Sequence, residues 1–182
     1  MNYSLGLVEF NSIAKGIEAA DTMAKAAKVD IVTCRTICPG KYIVLISGEV
    51  AAVETAVQHG LETGGIYVVD EFVLPNVHPS VIGAITATSI VNELKALGII
   101  EVFSVATAIV AADTAVKAAD VQLIEVRLGI GTGGKSFITL TGDVAAVTAS
   151  VEAAVTAVSQ KGLLVEKVII PSPHRDLRSW LL

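Results

Sequence analysis

Apolar and polar positions follow two periods along this chain, and the same succession of periods is written twice. Residues 5–10 form a short apolar run that predicts a strand. Ser12 then suits a helix N-cap, since its hydroxyl can accept from an otherwise orphaned backbone N–H. Behind it Ile13, Ile17, Ala20, Ala24 and Ala27 recur at spacings of 4, 3, 4 and 3, which predicts that they share one face of a helix. Residues 29–36 and 41–47 predict a pair of strands joined by a tight turn at Cys38-Pro39-Gly40. A second helix is expected from Glu49, whose carboxylate suits the positive end of the helix dipole. A last strand covers about residues 67–74, and residues 79–97 read as a linker with some helix.

The second half repeats this order. Gly6-Leu7-Val8-Glu9 returns as Gly98-Ile99-Ile100-Glu101, Ala19-Ala20-Asp21-Thr22 as Ala111-Ala112-Asp113-Thr114, and Lys25-Ala26-Ala27 as Lys117-Ala118-Ala119. The helix stripe returns as Val105, Ile109, Ala112, Val116 and Ala119. These matches lie 92 positions apart (Asp21 to Asp113), whereas Gly48-Glu49-Val50-Ala51-Ala52-Val53 and Gly142-Asp143-Val144-Ala145-Ala146-Val147 lie 94 apart (Gly48 to Gly142). Two residues have therefore been inserted between Arg127 and Gly134. Two copies suit a pair of homologous domains, taken as residues 1–90 with the linker and 91–182, better than a solenoid. Each copy reads as β-α-β-β-α-β, so the expected class is α+β with two tandem ferredoxin-like units.

Composition narrows the partners. Hydrophobic residues make up 53% of the chain, charged residues 17% and aromatics 4%, where roughly 25% charged is ordinary. Scarce charge means a scarce solvating surface, which favours an oligomer whose edges are covered by neighbours. Mean hydropathy is +0.68, yet charges such as Lys15, Glu18, Asp21, Lys25, Lys28 and Asp30 recur too often for about 20 uninterrupted apolar residues. Met1 to Leu5 lacks the basic start of a signal peptide, so the expected location is the cytoplasm, with no membrane partner. A net charge of −5 without a basic cluster argues against nucleic acid, which requires phosphate-neutralising lysine and arginine.

Gly129-Ile130-Gly131-Thr132-Gly133-Gly134-Lys135-Ser136 matches the literal phosphate-loop pattern G-x-x-x-x-G-K-S. That chemistry needs a helix directly after the loop, so that backbone N–H groups meet the phosphates. Residues 137–141 read instead as a strand, which leaves a small-ligand or nucleotide-binding regulator using the Gly129–Ser136 loop as the weaker alternative. Ser136, Asp143 and His174 make a triad only on paper, with no nucleophile signature around them. His59, His78 and His174 are too scattered for a metal set. Of the two cysteines, Cys34 aligns with Val126 on an apolar strand face and is expected in the core as a small hydrophobe. Cys38 sits in the turn.

Taken in order and in duplicate, Gly-x-x-Glu, Ala-Ala-Asp-x-x-x-Lys-Ala-Ala, Gly-Glu/Asp-Val-Ala-Ala-Val and a closing Pro-x-x-His resemble the bacterial microcompartment shell domain. The closing elements are Pro75-Asn76-Val77-His78 and Pro171-Ser172-Pro173-His174. The resemblance implies a structural protein with no catalytic residues: a homotrimer imitating a hexamer, which tiles with other shell proteins into a facet within the bacterial cytoplasm. It assigns the two hairpin loops to the rim of a central pore, lined by Ile37, Cys38, Pro39 and Gly40 from copy one. Copy two would contribute Gly129, Ile130, Gly131, Thr132, Gly133 and Gly134, where glycine permits close approach. It assigns Lys25, Lys117, His78 and His174 to tile edges, although periodicity alone reads the two lysines as a solvated helix face. Family members often carry Arg in the closing motif, where this chain has Asn76 and Ser172. One type within the tandem class carries a [4Fe–4S] cluster at a pore-loop Ile-Cys-Pro-Gly, which Ile37-Cys38-Pro39-Gly40 matches. Cys38 is thereby the expected metal ligand, one cluster per trimer, serving an unidentified redox partner. A cluster-free metabolite pore is the alternative.

Overall fold

Two antiparallel four-stranded sheets carry the chain's helices, one sheet per repeat. The structure, a computed structural model, describes residues 4–159 and 163–182; the start of the segment read above against a signal peptide, Met1 to Tyr3, lies outside them. Copy one runs β1 (Ser4–Phe10), α1 (Ile13–Ala26), β2 (Asp30–Ile37), β3 (Lys41–Gly48), α2 (Val50–Gly64), a single 3₁₀ turn (Gly65–Tyr67) and β4 (Val68–Leu74). Helix α3 (Pro79–Ile85) precedes copy two, which runs β5 (Ala96–Val102), α4 (Val105–Ala118), β6 (Val121–Arg127), β7 (Ser136–Gly142), α5 (Val144–Val158) and β8 (Leu164–Ile170). A 3₁₀ turn (Arg175–Leu177) and α6 (Arg178–Leu181) close the chain.

Strand order is β2-β3-β1-β4 in the first sheet and β6-β7-β5-β8 in the second. The registers match as well: Leu7 lies between Leu45 and Phe72, and Ile99 between Thr139 and Val168. Even the irregularities are shared, with a slip after Glu9 and after Glu101, and another between Ile31 and Thr33 and between Leu123 and Glu125. Repeated sequence has produced repeated defects, as expected if bulges belong to the design of the fold.

The repeated Gly-x-x-Glu has a packing cause. A Cβ on Gly6 would stand 2.6 Å from Val53 Cγ1 and 2.7 Å from Val57 Cγ2, and one on Gly98 would stand 2.9 Å from Val151 and 3.0 Å from Val147. Glycine lets α2 and α5 seat on the central strand of each sheet. The helices start as read: Ser12 Oγ accepts from Lys15 N–H, and Ser104 Oγ from Thr107 N–H, at 3.3 and 3.1 Å.

Two expectations change, and the helix stripe gains a meaning. The chain divides into compact units at Val77/His78, so residues 78–90, grouped by sequence with copy one, belong to the second unit, where α3 packs on β6 and α4. Helix α1 faces its core with Gly16, Ala19, Ala20 and Met23, so of the stripe only Ala20 is buried. Ile13 and Ile17 are 41% and 54% exposed, whereas their counterparts Val105 and Ile109 are 2% and 0% exposed. Helix α4 therefore buries two faces, one on its sheet and one beneath α3, and the stripe marks the second of these. Cys34 is likewise exposed rather than core, because β2 is an edge strand that its own helix layer leaves uncovered. Its side is the predicted one, since it pairs with Val44, a core residue.

Candidate functional site

Each sheet ends its outer pair of strands in a loop, and these two loops hold the residues singled out by sequence. Ile37 is buried at the end of β2, Cys38 is half-buried, and Pro39 and Gly40 are exposed. Gly40 N–H donates to Ile37 C=O at 3.0 Å, the Cys38–Pro39 peptide is cis, and Gly40 has a φ of 85°. Cys38 is thus held at the tip by a hydrogen-bonded turn in which Gly40 adopts a conformation that costs other residues more.

The corresponding loop of copy two, residues 128–135, carries four glycines with φ between 65° and 88°: Gly129, Gly131, Gly133 and Gly134. Thr132 Oγ1 donates to Lys135 C=O, and Lys135 N–H returns to Thr132 C=O at 3.3 Å. Ile130 is exposed, Thr132 and Gly134 are half-buried, and strand β7 follows at Ser136. No helix faces the loop's amides from behind it, and Lys135 Nζ is committed to Glu101 Oε1 at 2.5 Å. The loop lacks both elements a nucleotide phosphate would need.

That ion pair occurs twice and was missed in the sequence. Lys41 Nζ meets Glu9 Oε1 at 2.6 Å, with the glutamate side chain 6% exposed. The signal was present: Glu9 and Glu101 keep the 92-residue offset, and Lys41 and Lys135 keep the 94-residue one. A strand carboxylate, buried in Glu9 and part-exposed in Glu101, is held by the lysine that starts β3 or immediately precedes β7, so each loop is anchored at its base.

Behind the first loop, Tyr42 packs on α1, and its hydroxyl is pushed up to about 12 by burial and then by the hydrogen bond with the Cys34 side chain. Lys25 and Lys117 pair with Asp21 and Asp113 one helical turn earlier, both at 2.6 Å. His78 and His174 act as N-caps, their Nδ1 atoms each accepting a backbone N–H two residues on at 3.3 Å. Asn76 takes a φ of 54° just before the closing histidine, a conformation asparagine tolerates. Nothing gathers Ser136, Asp143 and His174 into a triad: Ser136 Oγ is buried without a partner, Asp143 pairs with Lys95 at 3.0 Å, and His174 is a cap. Among the described residues no three His, Cys, Asp or Glu side chains cluster as a metal set.

The family model described as "BMC domain" matches residues 4–77 and again residues 96–173. The chain belongs to the BMC domain family. The two matches include both hairpin loops and the Glu9–Lys41 and Glu101–Lys135 pairs at their bases. The chain is 44% identical over 177 residues, 97% of its length and 96% of the other's, to the bacterial microcompartment shell protein PduT of Citrobacter freundii. It is 43% identical over 84 residues to EutM of Salmonella typhimurium, a shell protein of which 85% matches 46% of this chain. A crystal structure of a microcompartment protein from Desulfitobacterium hafniense superposes with a TM-score of 0.95 at 57% identity, covering 98% of this chain and 99% of that one. No helix among the described residues is long and apolar enough to cross a membrane.

Proposed function

We propose that this chain is a structural tile of a bacterial microcompartment shell, acting as a homotrimer beside other shell proteins, with its two kinds of hairpin loop around a central pore. The carrying observation is the pairing of two BMC domains in one chain with likeness to a shell protein along nearly its whole length. Three chains of two domains then imitate six single-domain subunits, the form in which a protein such as EutM supplies one domain per chain. The tile has no catalytic duty. The sequestered Lys135, the buried Ser136 and the scattered histidines support this reading.

We further propose that Cys38 from each of the three chains binds one [4Fe–4S] cluster on the trimer axis. The donor chemistry fits: one half-buried thiol per chain, at the tip of a turn, with a structure that needs a symmetry mate to complete any ligand set. Three thiolates from a threefold axis match three irons of a cubane and leave the fourth to a non-protein ligand. Such a cluster supplies one-electron exchange, here between the two sides of the shell. The chain's own part is to hold the thiols at a fixed radius through the Ile37–Gly40 turn and the Glu9–Lys41 anchor.

The test is iron and sulfide content with an EPR spectrum, on protein purified without oxygen. About four irons per trimer are expected, lost in Cys38→Ser without loss of the trimer. A trimer that stays iron-free after anaerobic reconstitution would remove the redox role and leave a pore for small metabolites.

A further inference from the structure

The two repeats have the same fold but not the same surface, and the difference is complementary. In the second unit, α3 lies on α4 and β6. Beneath it Val105, Ile109, Leu123 and Val126 are between 0% and 2% exposed. Asp113 Oδ1 accepts the His78 N–H at 2.8 Å while its Oδ2 holds Lys117. On α3 itself Val81, Ala84 and Ile85 are between 0% and 6% exposed. This is a closed apolar contact with one polar latch.

Copy one presents the receiving half of that contact open. Ile13, Ile17 and Ile31, the counterparts of Val105, Ile109 and Leu123, are 41%, 54% and 45% exposed, and Cys34, the counterpart of Val126, is exposed too. Asp21 with Lys25 reproduces the Asp113–Lys117 pair at the same 2.6 Å. The chain's C-terminus presents the inserting half open. Aligning Pro171-Ser172-Pro173-His174 with Pro75-Asn76-Val77-His78 sets Leu177 on Val81, Trp180 on Ala84 and Leu181 on Ile85. Leu177 is 39% and Trp180 84% exposed, although Arg178 Nη2 ties the segment to Asn92 C=O at 2.5 Å. His174 caps the segment as His78 caps α3.

We propose that residues 171–182 of one chain dock on the α1–β2 face of copy one in a second chain, with the His174 N–H latched to Asp21, as α3 docks on α4 and β6. The partner is a second copy of this chain, because the inserting and receiving halves are repeat-equivalents of a contact the chain already makes. The aspartate–lysine latch is already formed on the receiving side. The contact is head-to-tail, using two different patches, so it propagates from copy to copy and forms a ring where the rotation between copies closes, as the proposed trimer requires. It also accounts for the isoleucine stripe, exposed Cys34 and exposed Trp180 together, since a cluster of exposed apolar side chains marks an interaction surface. The proposal rests on the assembly reading above and specifies which surfaces carry it.

Two measurements test it on the full-length protein. The first is solution mass by light scattering for wild type, Ile17→Asp and Trp180→Asp; both positions are exposed in the single chain, so circular dichroism should remain that of the folded protein. The second is the alkylation rate of Cys34, followed at peptide level so that Cys38 is read separately. The expected result is a wild-type trimer with Cys34 at least tenfold slower to alkylate than in either variant, and variants that dissociate. Variants that remain trimeric, or a trimer in which Cys34 reacts as fast as in the variants, would overturn the docking while leaving the tile intact. A wild-type protein of single-chain mass would overturn both.

Discussion

Replacing Gly6 with alanine adds one methyl where the structure has no room. The new Cβ would lie 2.6 Å from Val53 Cγ1, 2.7 Å from Val57 Cγ2 and 3.2 Å from Ile46 Cγ1. Ordinary carbon contacts sit near 3.5–4.0 Å, so α2 must lift by roughly 1 Å or two valines must leave their rotamers. Val53 and Val57 are 0% and 4% exposed, and β-branched side chains are stiff at χ1, so neither yields cheaply. Overpacking of this kind costs about 1–3 kcal/mol. Loss of glycine's unfolded-state freedom returns about 0.4–1 kcal/mol. The net expectation is destabilisation by about 1–2 kcal/mol. The assay is urea unfolding at fixed protein concentration, since assembly makes midpoints concentration-dependent. Combining Gly6→Ala with Val53→Ala should cost less than the sum of the two single changes, because each relieves the other. A Gly6→Ala protein within about 0.3 kcal/mol of wild type, or strictly additive changes, would refute the packing argument.

Lys41→Met should destabilise by about 2–3 kcal/mol, because it strands the nearly buried Glu9 carboxylate, and Glu9→Gln in the same protein should recover most of that loss in urea unfolding. Spectrophotometric titration should show one tyrosine, absent in Tyr42→Phe, ionising near 12 rather than near 10. Because folding raises that value, stability should hold below pH 10 and fall as pH rises from 10 towards 12, and Tyr42→Phe should flatten this slope. Gly131→Ala and Gly133→Ala meet no atom within 4 Å, so each should cost only the backbone penalty of a left-handed residue, about 1–2 kcal/mol, with thermal unfolding as the readout.

Element order, the β2–β3 hairpin and the duplicated fold were legible, because the two copies read each other's periodicity. The helix stripe was legible as a face, but its burial was not. On α4 the chain buries two faces, and a periodicity count finds an apolar stripe without saying which neighbour covers it. On α1 the same stripe survives in sequence as Ile13 and Ile17 while its cover is missing from copy one. Cys34 failed in the same way: the alternation gave its side correctly, but edge position decided its exposure. The Glu9–Lys41 anchor joins residues 32 positions apart, a pairing invisible until the β1–β3 register is known. The glycines of residues 129–134 were readable as loop and the strand after them already spoke against a phosphate cradle, whereas their left-handed backbones and the Lys135–Glu101 pair emerged only in the fold.

The central claim is that the chain works as a trimeric tile. Sedimentation equilibrium of the wild-type protein tests it most directly. A mass of three times 18.8 kDa, about 56 kDa, held across a wide concentration range is the predicted result. A single species of 18.8 kDa at every concentration would contradict the account.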